Sequence, residues 1–282
     1  MAPLRHNHGM SIEHERELPI GIFDSGVGGL TVLKAIHEAL PGEHLVYLGD
    51  TARLPYGTKS PTSIERYATQ AAVKLQKEGI KLLVVACNTA SAVALEALRA
   101  HLAPLPVVGV VDPGAAAAVT ARPGGRHLVL ATEATVRLSA YRDAVKARDP
   151  GAEVSEHACE MLVALAEEGW DDGAIARAIA QRYLDEAGCS EPDTIILGCT
   201  HFPILRRTIQ EVAAEGVVLV DSASTTAEVV RQTLRESDLL RATGDRGALR
   251  FLATDGATRF ARVGGRFLGR PLGWADVEVV DL

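Results

Sequence analysis

Two cysteines, Cys87 and Cys199, each end a short aliphatic run and each have a threonine close behind. The runs are rich in β-branched residues and too short for an ordinary helix, so each predicts a strand buried on both faces. The thiols would then lie at the carboxyl ends of strands, where open α/β sheets bind ligands. The polar residues that follow can open a helix and lower a thiol pKa from about 8.5. The spacing therefore predicts two reactive thiols that act as a pair.

His201 stands two residues after Cys199, where its ring can pair with the thiol or orient a substrate. Cys159 and Cys189 lack such neighbours, and we expect them to be packing residues. Zinc binding and a redox pair are the competing uses of the thiols. Neither is favoured, because Cys-Thr-His is not a usual zinc-ligand spacing and the chain has no Cys-x-x-Cys. No metal and no cofactor are expected.

Asp24 and Ser25 follow a third predicted strand and precede the glycine-rich residues 26–29. These glycines match neither the dinucleotide fingerprint nor a phosphate-binding loop, which needs Gly-Lys-Ser/Thr. We expect Asp24 and Ser25 at a helix start, able to accept from an ammonium group and to donate to a carboxylate. Helix capping is the competing role, and it is the preferred one for Ser25 alone.

Two further loops follow predicted strands. Tyr56 lies at the tip of a loop that contains proline and glycine, and packing is the usual role of such a tyrosine. Its place at the functional edge of the sheet favours a ligand contact instead. Thr132 and Thr135 end another strand, where helix capping is the expected role and carboxylate binding the alternative.

Composition limits the class of protein. The 282 residues are 47% hydrophobic but only 4% aromatic, which suits packed α/β layers, and the length predicts about two domains. The net charge of −7, without a basic cluster, argues against a nucleic-acid partner. Four sparse cysteines and no signal-like segment indicate a reducing cytoplasm. No apolar stretch reaches the roughly 20 residues that a membrane helix requires, so no membrane partner is expected.

Short aliphatic runs alternate with amphipathic segments, which predicts an α/β fold with mostly parallel sheets flanked by helices. Cys199 follows Cys87 by 112 residues, close to one α/β domain in length. We predict two pseudo-symmetric domains with the active site in the cleft between them, so that the thiols lie on opposite walls. The expected division is a disordered leader at 1–18, a first domain at 19–111 plus 222–282, and a second at 112–221. One helix is predicted from Thr135 to Ala147.

Four ordered motifs resemble those of the bacterial glutamate racemases, within the aspartate/glutamate racemase superfamily. They are residues 23–30, Pro55-Tyr56-Gly57, residues 86–92 and residues 197–201. The chain departs from the usual pattern at Phe202, where a tyrosine is common, and at Glu160, where a proline is common.

The resemblance implies cofactor-independent interconversion of L- and D-glutamate for peptidoglycan. Cys87 and Cys199 would be the two acid/base groups, tuned by Asp24 and His201 respectively. A further acid of the second domain would have a supporting role, and Glu167 is its best positional match. It also implies a homodimer. The residues implied to bind glutamate are Asp24, Ser25, Tyr56, Gly57, Asn88, Thr89, Thr200 and His201.

Two other hypotheses stay open at this point. A racemase of the same superfamily would act on aspartate or a hydantoin instead. A non-catalytic protein would bind a dicarboxylate or inhibit another enzyme, although binding alone does not need two reactive thiols.

Overall fold

The structure, a computed structural model, describes residues 11–189, 191–242 and 244–282. Helices and strands alternate along the chain, as the sequence predicts. The helices are α1 (Ile12–Glu17), α2 (Leu30–Ala39), α3 (Pro61–Lys77), α4 (Asn88–Leu102), α5 (Val111–Ala121), α6 (Glu133–Arg137), α7 (Ala140–Arg148), α8 (Glu160–Glu168), α9 (Gly173–Glu186), α10 (Arg206–Val212), α11 (Ser222–Glu236) and α12 (Ala257–Leu268). The strands are β1 (Ile20–Asp24), β2 (Leu45–Gly49), β3 (Leu82–Val85), β4 (Val107–Gly109), β5 (Arg126–Ala131), β6 (Glu153–Ala158), β7 (Thr194–Gly198), β8 (Val218–Asp221), β9 (Leu249–Ala253) and β10 (Val277–Val279).

The strands form two sheets. The first has the order β10-β9-β2-β1-β3-β4 and the second the order β6-β5-β7-β8. Every strand pair in both sheets is parallel. The predicted α/β class with parallel sheets flanked by helices is confirmed.

Successive side chains of a strand point to opposite faces of the sheet, and both faces are buried here, which explains why the predicted strands are aliphatic throughout. Leu82 and Val84 of β3 enter one hydrophobic cluster, whereas Leu83 and Val85 enter another on the opposite face. Both faces of the sheet are covered by helices, so a polar residue on either face would be buried without a partner. The same alternation holds in β5, where Leu128 joins the cluster that contains Leu82. One core cluster is therefore shared by the two sheets.

The first sheet contains the strands of residues 20–109 together with β9 and β10, and the second contains those of residues 126–221. Strand β10 was not predicted. The exact domain boundaries at 111/112 and 221/222 stay a prediction.

Part of the expected disordered leader is ordered in the structure. Residues 1–10 lie outside the described residues, but α1 forms from Ile12 and is capped by the hydroxyl of Ser11. Arg16 pairs with Asp238, and its carbonyl accepts a hydrogen bond from the buried ammonium of Lys81. The prediction of disorder was therefore wrong for residues 11–18, because these contacts come from segments more than 60 residues away.

The helix predicted from Thr135 to Ala147 was also wrong as a single element. Helix α6 ends at Arg137 and α7 begins at Ala140. Ser139 lies between them with φ of +51°, a left-handed conformation that does not continue a right-handed helix. Over the described residues, no helix has both the length and the apolar character needed to cross a bilayer.

Candidate active site

Cys87 and Asp24 lie at the carboxyl ends of neighbouring strands. Strand β1 ends at Asp24 and pairs in parallel with β3, which Cys87 follows by two residues. In the sheet order, the chain passes from β1 to β2 on one side and from β3 to β4 on the other. The edge between β1 and β3 is therefore a topological switch point, where α/β sheets bind ligands. Helix α4 begins at Asn88 with Cys87 as its N-cap. The expected placement of the first thiol is confirmed by these elements.

The sulfur of Cys87 is nearly enclosed and has two polar contacts. The Ala90 amide donates to Sγ at 3.4 Å, and the thiol donates to Ser25 Oγ at 3.4 Å. Both neighbours lower the thiol pKa, Ala90 through its amide at the helix start and Ser25 because its hydroxyl can turn to donate to a thiolate. Only the helix-start effect was expected from the sequence. Burial and the negative charge of Asp24 outweigh them and raise the pKa of Cys87 to about 12. The predicted lowering of this pKa was therefore wrong, and Cys87 is a neutral thiol near pH 7.

Cys199 occupies the matching position in the second sheet, directly after β7. Its Sγ lies 3.8 Å from Nδ1 of His201, and Nε2 of the same ring lies 3.1 Å from Oε1 of Glu167. Burial alone would lower the pKa of His201, but its hydrogen bonds to Cys199 and Glu167 raise it to about 10. In turn, the bond to His201 lowers the pKa of Glu167. The site thus holds a protonated imidazole between a thiol and a carboxylate.

The loop that carries Cys199 contacts the loop after β1. The Thr31 hydroxyl donates to the Thr200 carbonyl at 3.1 Å. A Cβ on Gly28 would lie 2.4 Å from both Nδ1 of His201 and Oγ1 of Thr200, so only glycine permits this approach. Because the two loops belong to different sheets, this contact brings the polar groups around Cys199 to the edge that carries Asp24.

Asp24 is 1% exposed, and its Oδ2 accepts from the Gly26 amide at 2.8 Å. Its other oxygen, Oδ1, has no hydrogen-bond partner among the described residues. Burial raises the pKa of this carboxyl group, while the charge of His201 opposes that effect. Helix α2 begins only at Leu30, with Gly29 as its N-cap, so the expectation of Asp24 and Ser25 at a helix start, or as caps, was wrong.

Asn88 and Thr89 face side chains of the second sheet. The Asn88 amide Nδ2 donates to the Tyr141 hydroxyl at 2.7 Å. The Thr89 hydroxyl lies 3.0 Å from that of Thr132 and 3.4 Å from that of Thr135. Thr132 precedes α6 but makes no side-chain cap bond, so the expected capping role was wrong for this residue.

Tyr56 is buried, and its side chain is already engaged. Its hydroxyl donates to Asp50 Oδ2, and its ring packs near those of Phe23 and Tyr67. Gly57 comes close to the second sheet, since a Cβ there would lie 3.2 Å from Thr132. A ligand would therefore meet backbone groups of residues 56 and 57 instead of the phenol.

Several residues of this site carry no local sequence signal. Glu167 was suggested only by the family resemblance, and Glu160 does not prevent it from reaching His201. Arg259 donates to Glu167 Oε2 at 2.7 Å from α12, 92 residues further along the chain. Thr31 and Tyr141 likewise acquire their roles through contacts between distant segments. Within residues 11–189, 191–242 and 244–282, no group of three or more His, Cys, Asp or Glu side chains is arranged to hold a metal ion.

Comparison with known families gives a match over most of the chain. A family model described as Asp/Glu/Hydantoin racemase matches residues 20–230. The chain is 52% identical over 263 residues to the glutamate racemase of Geobacter metallireducens, and the match covers 93% of this chain and 96% of that relative.

Solved structures are similar over nearly the whole chain. The glutamate racemase of Thermus thermophilus in complex with β-chloro-D-alanine has a TM-score of 0.85 and 41% identity, covering 95% of this chain and 98% of that one. The glutamate racemase of Francisella tularensis in complex with D-glutamate has a TM-score of 0.86 and 34% identity, covering 94% and 98% of the two chains. The same arrangement of two parallel sheets therefore occurs in enzymes of this kind.

Proposed function

The chain belongs to the Asp/Glu/Hydantoin racemase family and is an amino-acid racemase, and from this premise we propose that it interconverts L-glutamate and D-glutamate through Cys87 and Cys199. The observation that carries the proposal is the pair of buried thiols, one at the carboxyl edge of each sheet. The substrate assignment is supported by the relatives that are glutamate racemases and by the Francisella tularensis structure with D-glutamate.

The proposed reaction is a transfer of one proton across the α-carbon. One sulfur, as thiolate, takes the α-proton, and the opposite thiol gives its proton to the other face of the resulting carbanion. The C–H bond that breaks and the one that forms are on the same carbon, so no electrons are gained or lost and no cofactor is needed. Because removal and return occur on opposite faces, one base does not suffice.

The amino acid itself would help to create the thiolate. Asp24 raises the pKa of Cys87, and its unpartnered Oδ1 is suited to accept from a substrate ammonium group. A cation bound there would offset the negative charge that holds Cys87 neutral. At Cys199 the neighbouring cation is instead a fixed side chain, since Nδ1 of His201 lies 3.8 Å from the sulfur.

The carboxylates would be held by donors from both sheets. Ser25, Asn88, Thr89 and Thr200 lie around the thiols, and Gly57 lies close to Thr132, which contacts Thr89. Donors aimed at the α-carboxylate stabilise the charge that develops on it after proton removal, and they act more strongly where water is excluded. Tyr56 would act through its backbone, since its hydroxyl is bonded to Asp50.

The cellular setting is part of the same proposal. D-glutamate made by this reaction would supply peptidoglycan synthesis in the cytoplasm. The active form would be a homodimer, which light scattering on the purified protein would test.

The decisive experiment is incubation of the purified protein with L-glutamate in D₂O, without added cofactor, followed by optical rotation and by NMR of the α-position. We expect racemisation with solvent deuterium in the product. Cys87→Ser and Cys199→Ser should each lower the rate by at least about 100-fold, because each removes one acid/base group. Cys159→Ser and Cys189→Ser are the matched controls and should retain the rate.

Three results would contradict the proposal in different ways. Reaction of aspartate or a hydantoin, but not glutamate, would change the substrate and keep the thiol pair. Activity that survives both serine substitutions would exclude the two-thiol route. Absence of turnover and of α-exchange with all three substrates would favour the binding or inhibitory hypothesis.

A further inference from the structure

Glu167 divides its carboxylate between two cations from different parts of the molecule. Its Oε1 lies 3.1 Å from Nε2 of His201, and its Oε2 accepts from Arg259 at 2.7 Å. The Glu167 carbonyl also accepts from Arg266 at 3.0 Å. Both arginines are on α12, which packs against α2 and β10 of the first sheet, whereas Glu167 is on α8 between two strands of the second. The contact therefore joins the two halves of the protein.

Stability does not explain this ion pair well. The Arg259 side chain is 57% exposed, and an exposed pair contributes about 0 to 1 kcal/mol. The geometry of the contact indicates a different role. Glu167 lies one residue before the end of α8, and each oxygen of its carboxylate has its own partner. With Arg259 holding Oε2, the side chain is fixed in the orientation that presents Oε1 to His201.

We propose that Arg259 is a positioning residue for the racemisation: it holds Glu167 on His201 and thereby fixes the His201 ring beside Cys199. The inference rests on the proposed function for its kinetic consequence only, since the contact itself is a property of the fold. Because Arg259 and Glu167 come from different halves, the chain of contacts from Arg259 to Cys199 is complete only when the halves are close together.

The charged and titratable groups that face His201 determine what loss of Arg259 would do. These are Cys199 on the same loop, Glu167 on α8, Asp24 after β1, and Arg259 and Arg266 beyond Glu167. Removing the positive charge of Arg259 would by itself raise the pKa of His201. Releasing the Glu167 carboxylate from Nε2 would lower it. The sign of the change therefore distinguishes positioning from a simple charge effect.

The first test is an NMR titration of the imidazole resonances in the full-length protein, with His201 assigned by comparison with a His201→Asn variant. Arg259→Gln should lower the pKa of His201 by about one unit, as should Glu167→Gln. Arg262→Gln is the matched control, since Arg262 is an exposed arginine on the same helix, and it should leave the titration unchanged. An unchanged or raised His201 pKa in Arg259→Gln would overturn the proposal.

The second test is a double-mutant cycle on kcat/KM for glutamate. Arg259→Gln should lower kcat/KM roughly 10- to 100-fold, and Arg259→Lys should recover part of the loss. In a Glu167→Gln background, Arg259→Gln should lower kcat/KM little further, because the effect of Arg259 depends on its contact with Glu167. Full additivity would mean that Arg259 acts independently and would refute the positioning role. The NMR result does not depend on turnover, so it still decides the matter if glutamate is not the substrate.

Discussion

The groups around the sulfur of Cys87 have opposing effects on its pKa. The helix-start amide of Ala90 and the hydroxyl of Ser25 favour the thiolate, while burial and Asp24 favour the neutral thiol and prevail. The balance suits the proposed reaction, in which each thiol would have to give a proton as well as take one. A cation bound beside Asp24 would therefore lower the pKa of Cys87.

The contribution of Asp24 to this balance can be measured. Asp24→Asn should lower the pKa of Cys87, because the substitution removes the nearby negative charge and keeps the shape. In a variant where Cys87 is the only cysteine, the rate of alkylation at pH 8 should rise about tenfold for each unit of that decrease. The control is Glu96→Gln, because Glu96 is an exposed acid on α4, the helix whose N-cap is Cys87. An equal rate in Asp24→Asn would contradict the assigned cause.

Among the elements, the loop between β1 and α2 decides how closely the two sheets approach. Its Gly28 leaves space that Thr200 and His201 fill from the other half. Helix α12 acts from the opposite side, where the Phe267 ring packs edge-on against His201 with centroids 5.1 Å apart. The histidine is therefore held between a loop and a helix of the first sheet, although it follows a strand of the second.

Gly28→Ala should disrupt this approach. The new Cβ would lie 2.4 Å from atoms of Thr200 and His201, so the Cys199 loop must move, and we expect kcat/KM to fall roughly 10- to 100-fold. Gly244→Ala adds a methyl group in open space and is the control. Steady-state kinetics and thermal unfolding together test the expectation. Wild-type kinetics in Gly28→Ala would show that the loops are not pressed together.

At the other end of the first sheet, Lys81, just before β3, forms a buried ion pair with Glu43 and also contacts α1. Lys81 and Glu43 are both nearly unexposed and lie 2.5 Å apart, and Lys81 also donates to the carbonyls of Arg16 and Leu239. Burial lowers the pKa of Lys81, and Glu43 opposes that effect. Lys81, held by Glu43, therefore helps to order residues 11–18, which composition alone predicts to be disordered.

Lys81→Met should lower the free energy of unfolding by about 3 to 5 kcal/mol, because it leaves the Glu43 carboxylate buried without its cation. The double variant Glu43→Leu/Lys81→Met should be less destabilised, since it removes both charges. Urea denaturation measures both changes. Racemase kinetics should be unaffected, as the pair lies at the edge opposite the thiols. A single variant as stable as the wild type would contradict this account.

For the molecule as a whole, the polar groups of the site come in pairs, one member from the helices and loops of each half. Asn88 reaches Tyr141, Thr89 reaches Thr132, and Thr31 reaches Thr200. A ligand bound among these groups would contact both halves and would stabilise the arrangement in which they are close. Binding should therefore be visible in global stability.

D-glutamate at about 100 times its Kd should add roughly 2.7 kcal/mol to the free energy of unfolding and raise Tm accordingly. Glutarate, which has the same two carboxylates but no ammonium group, is the matched control and should raise Tm much less, because it leaves Asp24 unpaired. Differential scanning calorimetry measures both. Equal shifts with the two ligands would contradict the ammonium-binding role of Asp24.

The sequence by itself determined the α/β class, the strands that lead to Asp24, Cys87 and Cys199, and the placement of both thiols just after strand ends. These features depend on local hydrophobic patterns, which act over a few residues. Only the tertiary structure decided which groups meet: Asp24 with Cys87, Tyr56 with Asp50, and Arg259 with Glu167. Burial and charge act through space between segments far apart in the chain, so the protonation state of Cys87 followed from the fold and not from its neighbours in sequence.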